Sequence, residues 1–146
     1  MNPSPRLLVV DDEEANRDML ARRLERSGFR VDTVEDGARA LDLLRNCEYD
    51  AVLLDSMMPG MSGSEVLRLL RAVHDLEQLP VIMVTAVTES RKIAEAIDLG
   101  ANDYVTKPID FPVALARIRS QVARKRAESE RRASEERYAL AARSAN

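Results

Sequence analysis

Five polar side chains fall where short apolar runs end. Asp11 and Asp12 follow LLVV at 7–10, Asp55 follows AVLL at 51–54, Thr85 follows VIMV at 81–84, and Lys107 closes the stretch that opens with YV at 104–105. Taken singly, each has an ordinary structural use: an Asp pair ahead of a helix caps it, and a strand-end Asp or Thr starts a turn. Brought together they would be a different object. Two unit charges about 4 Å apart cost roughly 4 kcal/mol at an effective dielectric near 20, so three carboxylates in one crevice require a cation. Lys107 supplies a single positive charge. The shortfall suits a hard divalent ion with oxygen ligands, and Mg²⁺ fits because it accepts one or two carboxylates, keeps several waters and takes a phosphate oxygen. Calcium asks for more protein ligands than these, and zinc asks for nitrogen or sulfur. A carboxylate beside Mg²⁺ and a lysine is placed as a nucleophile toward phosphorus, and it needs no separate base because it is already ionised. Thr85 could then donate its hydroxyl proton to a phosphoryl oxygen, drawing its loop inward.

The elements between these residues decide whether they meet. The apolar runs at 7–10, 31–34 (VDTV), 51–54, 81–84 and 104–105 are too continuous for a half-solvated sheet and read as strands of a parallel sheet covered on both faces. Between them lie amphipathic stretches. Glu13 to Ser27 carries Met19, Leu20 and Leu24 on one side and stops at Gly28, and Asp36 to about Asn46 groups Ala40, Leu41 and Leu44. About Ser64 to Val73 presents Val66, Leu67, Leu69 and Leu70, and about Glu89 to Leu99 carries Ile93, Ala94 and Ile97 before Gly100. A fifth helix starts near Asp110, which can cap it, and docks through Leu115, Ile118 and Val122. Five strands alternating with five helices predict an α/β, doubly wound five-stranded parallel sheet with right-handed crossovers and an extended C-terminal helix. In such a sheet ligands sit at the carboxyl ends of the strands, where strand order reverses. That rim carries all five polar residues.

Composition narrows the remaining classes. The chain of 146 residues holds one domain and an appendage, and its 45% hydrophobic content with no Trp makes the core aliphatic. No apolar run approaches the roughly 20 residues of a membrane span, and no leader-like start is present, so a cytoplasmic location without membrane contact is expected. Cys47, the only cysteine, reads as structural near a helix end, and His74, the only histidine, as a surface residue off the rim. Residues 1–116 carry 13 basic and 21 acidic side chains, whereas residues 117–146 carry 9 and 4. The tail is rich in Ala, Arg and Glu and lacks Gly and Pro, which favours helix. Its Arg126, Glu130, Ala133, Arg137 and Leu140 make only a poor heptad seam. With Glu interleaved among the basic residues and Tyr138 as its one aromatic, it reads as a solvated connector that does not bind nucleic acid.

The runs LLVVDDEEANR, VLLDSMMPGMSG, VTA at 84–86 and VTKP at 105–108 resemble, in order, those of the receiver domains of bacterial two-component response regulators. The spacing from Asp55 is similar too: 43 residues back to Asp12, 30 forward to Thr85 and 52 forward to Lys107. The resemblance covers about residues 5–125, which leaves 126–146 as a helical linker that looks like the lead-in to a PAS-type or other output module of a longer signalling protein. It implies a flavodoxin-like fold with Asp55 as phospho-acceptor, Asp12 as a direct Mg²⁺ ligand and Asp11 as a ligand directly or through water. Met57 would offer the metal its backbone carbonyl, and Lys107 would contact the phosphoryl group, its bond to Pro108 resembling the family's cis bond. Tyr104 would be the aromatic that changes rotamer when Thr85 moves, and the small Ala86 would leave the pocket open. Ser56 departs from the apolar residue common after the acceptor, and it either tunes dephosphorylation or is merely tolerated.

The implied partner is a sensor histidine kinase or a histidine phosphotransfer protein. A homodimer through helix four, strand five and helix five, or through the C-terminal helix, is also implied. The competing class is an Asp-nucleophile phosphohydrolase on a similar sheet, disfavoured because the second Asp such enzymes carry two residues on is here Met57. A flavin-binding module of like topology is disfavoured because no Ser/Thr/Gly-rich phosphate loop follows the first strand.

Overall fold

A computed structural model describes residues 3–76, 78–86 and 90–144. Each apolar run forms a strand: β1 (Arg6–Val10), β2 (Arg30–Val34), β3 (Ala51–Asp55), β4 (Val81–Ala86) and β5 (Asp103–Lys107). They alternate with α1 (Glu14–Arg26), α2 (Gly37–Asn46), α3 (Gly63–Arg71), α4 (Ser90–Leu99) and α5 (Phe111–Ser144). All pairings are parallel and the strand order is β2-β1-β3-β4-β5, so the order reverses between β1 and β3. Glu89, the expected start of the fourth helix, lies outside the described residues.

Alternation along the strands builds two cores. Leu8, Val10, Val52, Leu54 and Met83 face α2, α3 and α4, whose Ala40, Leu44, Val66, Leu67, Leu70 and Ala96 cover them. Leu7, Val9, Leu53, Ile82 and Val84 face α1 and α5 and are covered by Leu20, Leu24, Ala114, Ile118 and Val122. The helix faces are narrower than their apolar residues suggest. Met19, Leu69 and Ile97 are exposed, as is Ala94, and Ala96 is the buried contact of α4. A helix on a sheet buries one stripe at spacings of three and four, and side chains beside that stripe stay in water however apolar they are.

Local chemistry sets the helix ends. Asp36 accepts from the Arg39 N–H at 2.8 Å and Ser62 from the Glu65 N–H at 3.2 Å. Gly28, with φ of 100°, lets the chain leave α1 in the left-handed region that other residues avoid. Gly63 is required for a different reason: a Cβ there would stand 2.3 Å from the carbonyl oxygen of Asp55, so only glycine lets α3 start against the end of β3.

Helix α5 passes the sheet without interruption. Beyond Val122 it is held by cations, not apolar contacts: Lys125 donates to the Tyr49 carbonyl, Arg126 donates to the Pro3 carbonyl at 2.8 Å and pairs with Asp50 at 3.7 Å, and Arg132 reaches Asp75 at 4.0 Å. From Ala133 to Arg143 every residue is exposed, including Tyr138 and Leu140. No helix among the described residues is long and apolar enough to cross a membrane.

Candidate functional site

The carboxyl ends of β1, β3, β4 and β5 gather the five polar side chains at the point of strand reversal, where a crevice is expected in this topology. One carboxylate oxygen from each of Asp11, Asp12 and Asp55 lies within 4.8 Å of the others, the one such acidic cluster among the described residues. Asp11 is buried and Asp12 exposed. Asp11 Oδ1 accepts from the Glu13 N–H at 2.9 Å, which fixes the carboxylate at the entry of α1. Arg17, whose importance nothing in its spacing signalled, donates to the Asp11 carbonyl at 2.8 Å.

Asp55 is 2% exposed. Its Oδ1 accepts from the Lys107 ammonium at 3.1 Å and from the Met57 N–H at 3.2 Å. Burial pushes the Asp55 carboxyl up to about 6, against the pull of the Met57 N–H and the Lys107 ammonium, with Asp11 adding to the rise. At this rim the Lys107 ammonium, bonded to Asp55, stands against three clustered carboxylates. All-oxygen donors of this charge fit Mg²⁺, and the cluster among the described residues includes none of the imidazole or thiolate ligands that zinc prefers. Met57 turns its side chain outward at 56% exposure, so its backbone is what it offers the crevice.

Thr85 is buried beside this rim and Ala86 is half-buried. The Lys107–Pro108 peptide is cis. Tyr104 is half-buried, with the Arg117 guanidinium 4.9 Å over its ring and also donating to its carbonyl. Lys92 from α4 brings its ammonium to within 2.9 Å of the Met57 sulfur, a second cation near the rim that sequence spacing could not reveal. Ser56 is buried, and its hydroxyl has no hydrogen-bond partner among the described residues. His74 lies away from this rim but is half-buried and not fully on the surface; it lines a cavity with Cys47, Tyr49, Leu79 and Lys125 under the tail.

Residues 7–119 match the family described as response regulator receiver domain. Response regulator MprA of Mycobacterium sp. (strain KMS) is 43% identical over 119 residues, covering 82% of this chain and 51% of that protein. Phosphate regulon transcriptional regulatory protein PhoB of Rhizobium meliloti is 40% identical over 124 residues, covering 85% and 55%. The chain therefore spans about half the length of the curated relatives it matches. The receiver domain of a Francisella response regulator superposes with a TM-score of 0.77 at 29% identity, covering 83% of this chain and 98% of that one.

Proposed function

This chain belongs to the response regulator receiver domain family of two-component signalling, and from that premise we propose that Asp55 accepts a phosphoryl group from a phosphohistidine and that the domain switches conformation in response. The single observation that carries this reading is the convergence of the Lys107 ammonium and the Met57 N–H on Oδ1 of Asp55 inside the acidic cluster. No hydrogen bond among the described residues engages the other oxygen, Oδ2, which is the natural nucleophile.

In the transfer, an oxygen of the Asp55 carboxylate bonds to phosphorus as the phosphorus–nitrogen bond of the donor imidazole breaks, the electron pair staying with nitrogen. Lys107 holds its positive charge at the oxygens that gather charge, and Thr85 donates its hydroxyl proton to one of them. Asp11, Asp12, Asp55 and the backbone carbonyl of Met57 would hold Mg²⁺, which when bound would offset the negative charge of the phosphoryl oxygens. Hydrolysis reverses the modification when water attacks phosphorus and the aspartyl oxygen leaves. The domain is thus a self-acting acceptor, not an enzyme with a turnover substrate. The phosphohydrolase alternative is not favoured, since Met57 offers no general acid.

The donor we propose is a sensor histidine kinase or a histidine phosphotransfer protein of the cytoplasm. Residues 5–125 form the receiver unit and 126–146 the connector to an output module, supported by the change from apolar docking through Val122 to full exposure after Arg132. A homodimer through α4, β5 and α5, or through the exposed end of α5, uses the apolar side chains Ile97, Val113, Tyr138 and Leu140 that the fold leaves in water. Sedimentation with and without beryllofluoride tests it; identical monomers in both states rule it out. The acceptor reading is tested with Mg²⁺ and acetyl phosphate: intact mass rises by about 80 Da in the wild type and not in Asp55→Asn. An equal gain in both removes Asp55 as acceptor.

A further inference from the structure

Ser56 is only 9% exposed, and its Oγ is the one buried side-chain polar atom without a partner among the described residues. Buried hydroxyls are nearly always bonded, and one that is not marks either a strain or a role. Its place in the sheet identifies the role. The Ser56 N–H donates to the Val84 carbonyl at 3.0 Å, carrying the β3–β4 ladder one step past the Asp55–Val84 pair, so Ser56 stands beside Thr85. Leu54 and Met83 share the face covered by α2, α3 and α4, and alternation puts Ser56 and Thr85 on that same face two residues on. Thr85 in turn pairs with Thr106 of β5. A row of three hydroxyls therefore crosses the rim directly above the row Leu54, Met83 and Tyr104. On the other side the first residue of α3 closes down: the Gly63 N–H donates to the Ser56 carbonyl at 3.2 Å, and a Cβ at position 63 would lie 2.8 Å from the Ser56 Cα.

We propose that Ser56 is a positioning residue for Thr85: in the phosphorylated domain its hydroxyl donates to Oγ1 of Thr85 while Thr85 donates its own proton to a phosphoryl oxygen. The proposal rests on Asp55 being the acceptor. A hydroxyl carries one proton and two lone pairs. Once Thr85 commits its proton to the phosphoryl group, its lone pairs accept from a neighbour, and Ser56 is the adjacent hydroxyl of the row that is buried without a partner among the described residues, whereas Thr106 is only half-buried. Such a chain polarises each member, so Thr85 becomes the better donor. The orphan then has thermodynamic meaning. A hydroxyl unpaired in the resting state and paired in the switched state moves the equilibrium toward the switched state.

The test is a titration of the full chain with beryllofluoride at saturating Mg²⁺, read from backbone amide NMR, for wild type, Ser56→Ala, Thr85→Val and the double variant. Ser56→Ala is expected to raise the half-saturating concentration about fivefold. When Thr85→Val is already present, adding Ser56→Ala is expected to change it no further, because the acceptor of the Ser56 proton is gone. Saturation of Ser56→Ala at the wild-type concentration overturns the proposal, as does an equal loss in both backgrounds. A wild-type chain with no beryllofluoride-dependent change overturns the acceptor reading itself, and this proposal with it.

Discussion

Replacing Asp55 by asparagine should stabilise the metal-free protein. In the fold the carboxyl is pushed from 3.8 up to about 6 by burial, so the folded state binds its proton more tightly than the unfolded chain does. A group raised in this way supports the fold fully below its unfolded value and loses that support as pH climbs through its folded value. The penalty for holding the ionised form therefore builds between about pH 4 and pH 6 and is complete above that window. A rise of about 2 units at about 1.4 kcal/mol each gives roughly 3 kcal/mol. Asp55 is 2% exposed, so the penalty is that of a buried carboxylate. For a chain of this length that corresponds to roughly 10 °C in Tm. The assay is urea and thermal unfolding of wild type and Asp55→Asn in chelator at about pH 8 and again near pH 4, where the gap shrinks below roughly 1 kcal/mol. Mg²⁺ should then stabilise the wild type and narrow the gap, by about 2.7 kcal/mol at a hundredfold excess over its Kd. Equal stabilities at the higher pH, or a gap of the same size at both, would refute the reasoning.

Three further outcomes follow from particular contacts. Lys107→Ala removes the ammonium 3.1 Å from Asp55, and the rate of mass gain from acetyl phosphate should fall on the order of a hundredfold at unchanged Mg²⁺. Arg71 donates to the carbonyls of Gly100, His74, Asp75 and Leu79 and to Asn102 Oδ1, so Arg71→Ala should cost about 3 kcal/mol or more in urea unfolding by leaving several acceptors unmet. Gly63→Ala drives a Cβ to 2.3 Å from the Asp55 carbonyl oxygen, and the backbone shift it forces should lower stability by about 1–3 kcal/mol and slow acceptance together.

The rim was legible from sequence because its residues sit next to uninterrupted apolar runs, and a parallel sheet sends every such junction to one edge. Asp11, Asp12, Asp55, Thr85 and Lys107 meet there for that reason. What eluded the pattern depends on contacts that leave no residue-type signature. The acceptors of Arg71 are mostly main-chain carbonyls, which any residue supplies. The docking of the tail by Lys125, Arg126 and Arg132 has no apolar period to detect. Met19, Leu69 and Ile97 read as core because their spacing lies within one residue of the buried stripe, and the width of that stripe is set by the packing and not by the helix alone. Ser56 stood out in the chain only as a departure from the apolar residue common after the acceptor, with tuning and tolerance both open; its burial without a partner among the described residues is a property of three dimensions only.

On the function proposed above, the acidic surroundings of Asp55 together with Mg²⁺ make it phosphorylatable. The most direct measurement is borohydride trapping after incubation with acetyl phosphate, with peptide mass mapping of samples prepared in Mg²⁺ and in chelator. Homoserine at position 55 in the Mg²⁺ sample and aspartate in the chelated one is the predicted result. Reduction at Asp11, Asp12 or elsewhere, or equal trapping without the metal, would contradict it.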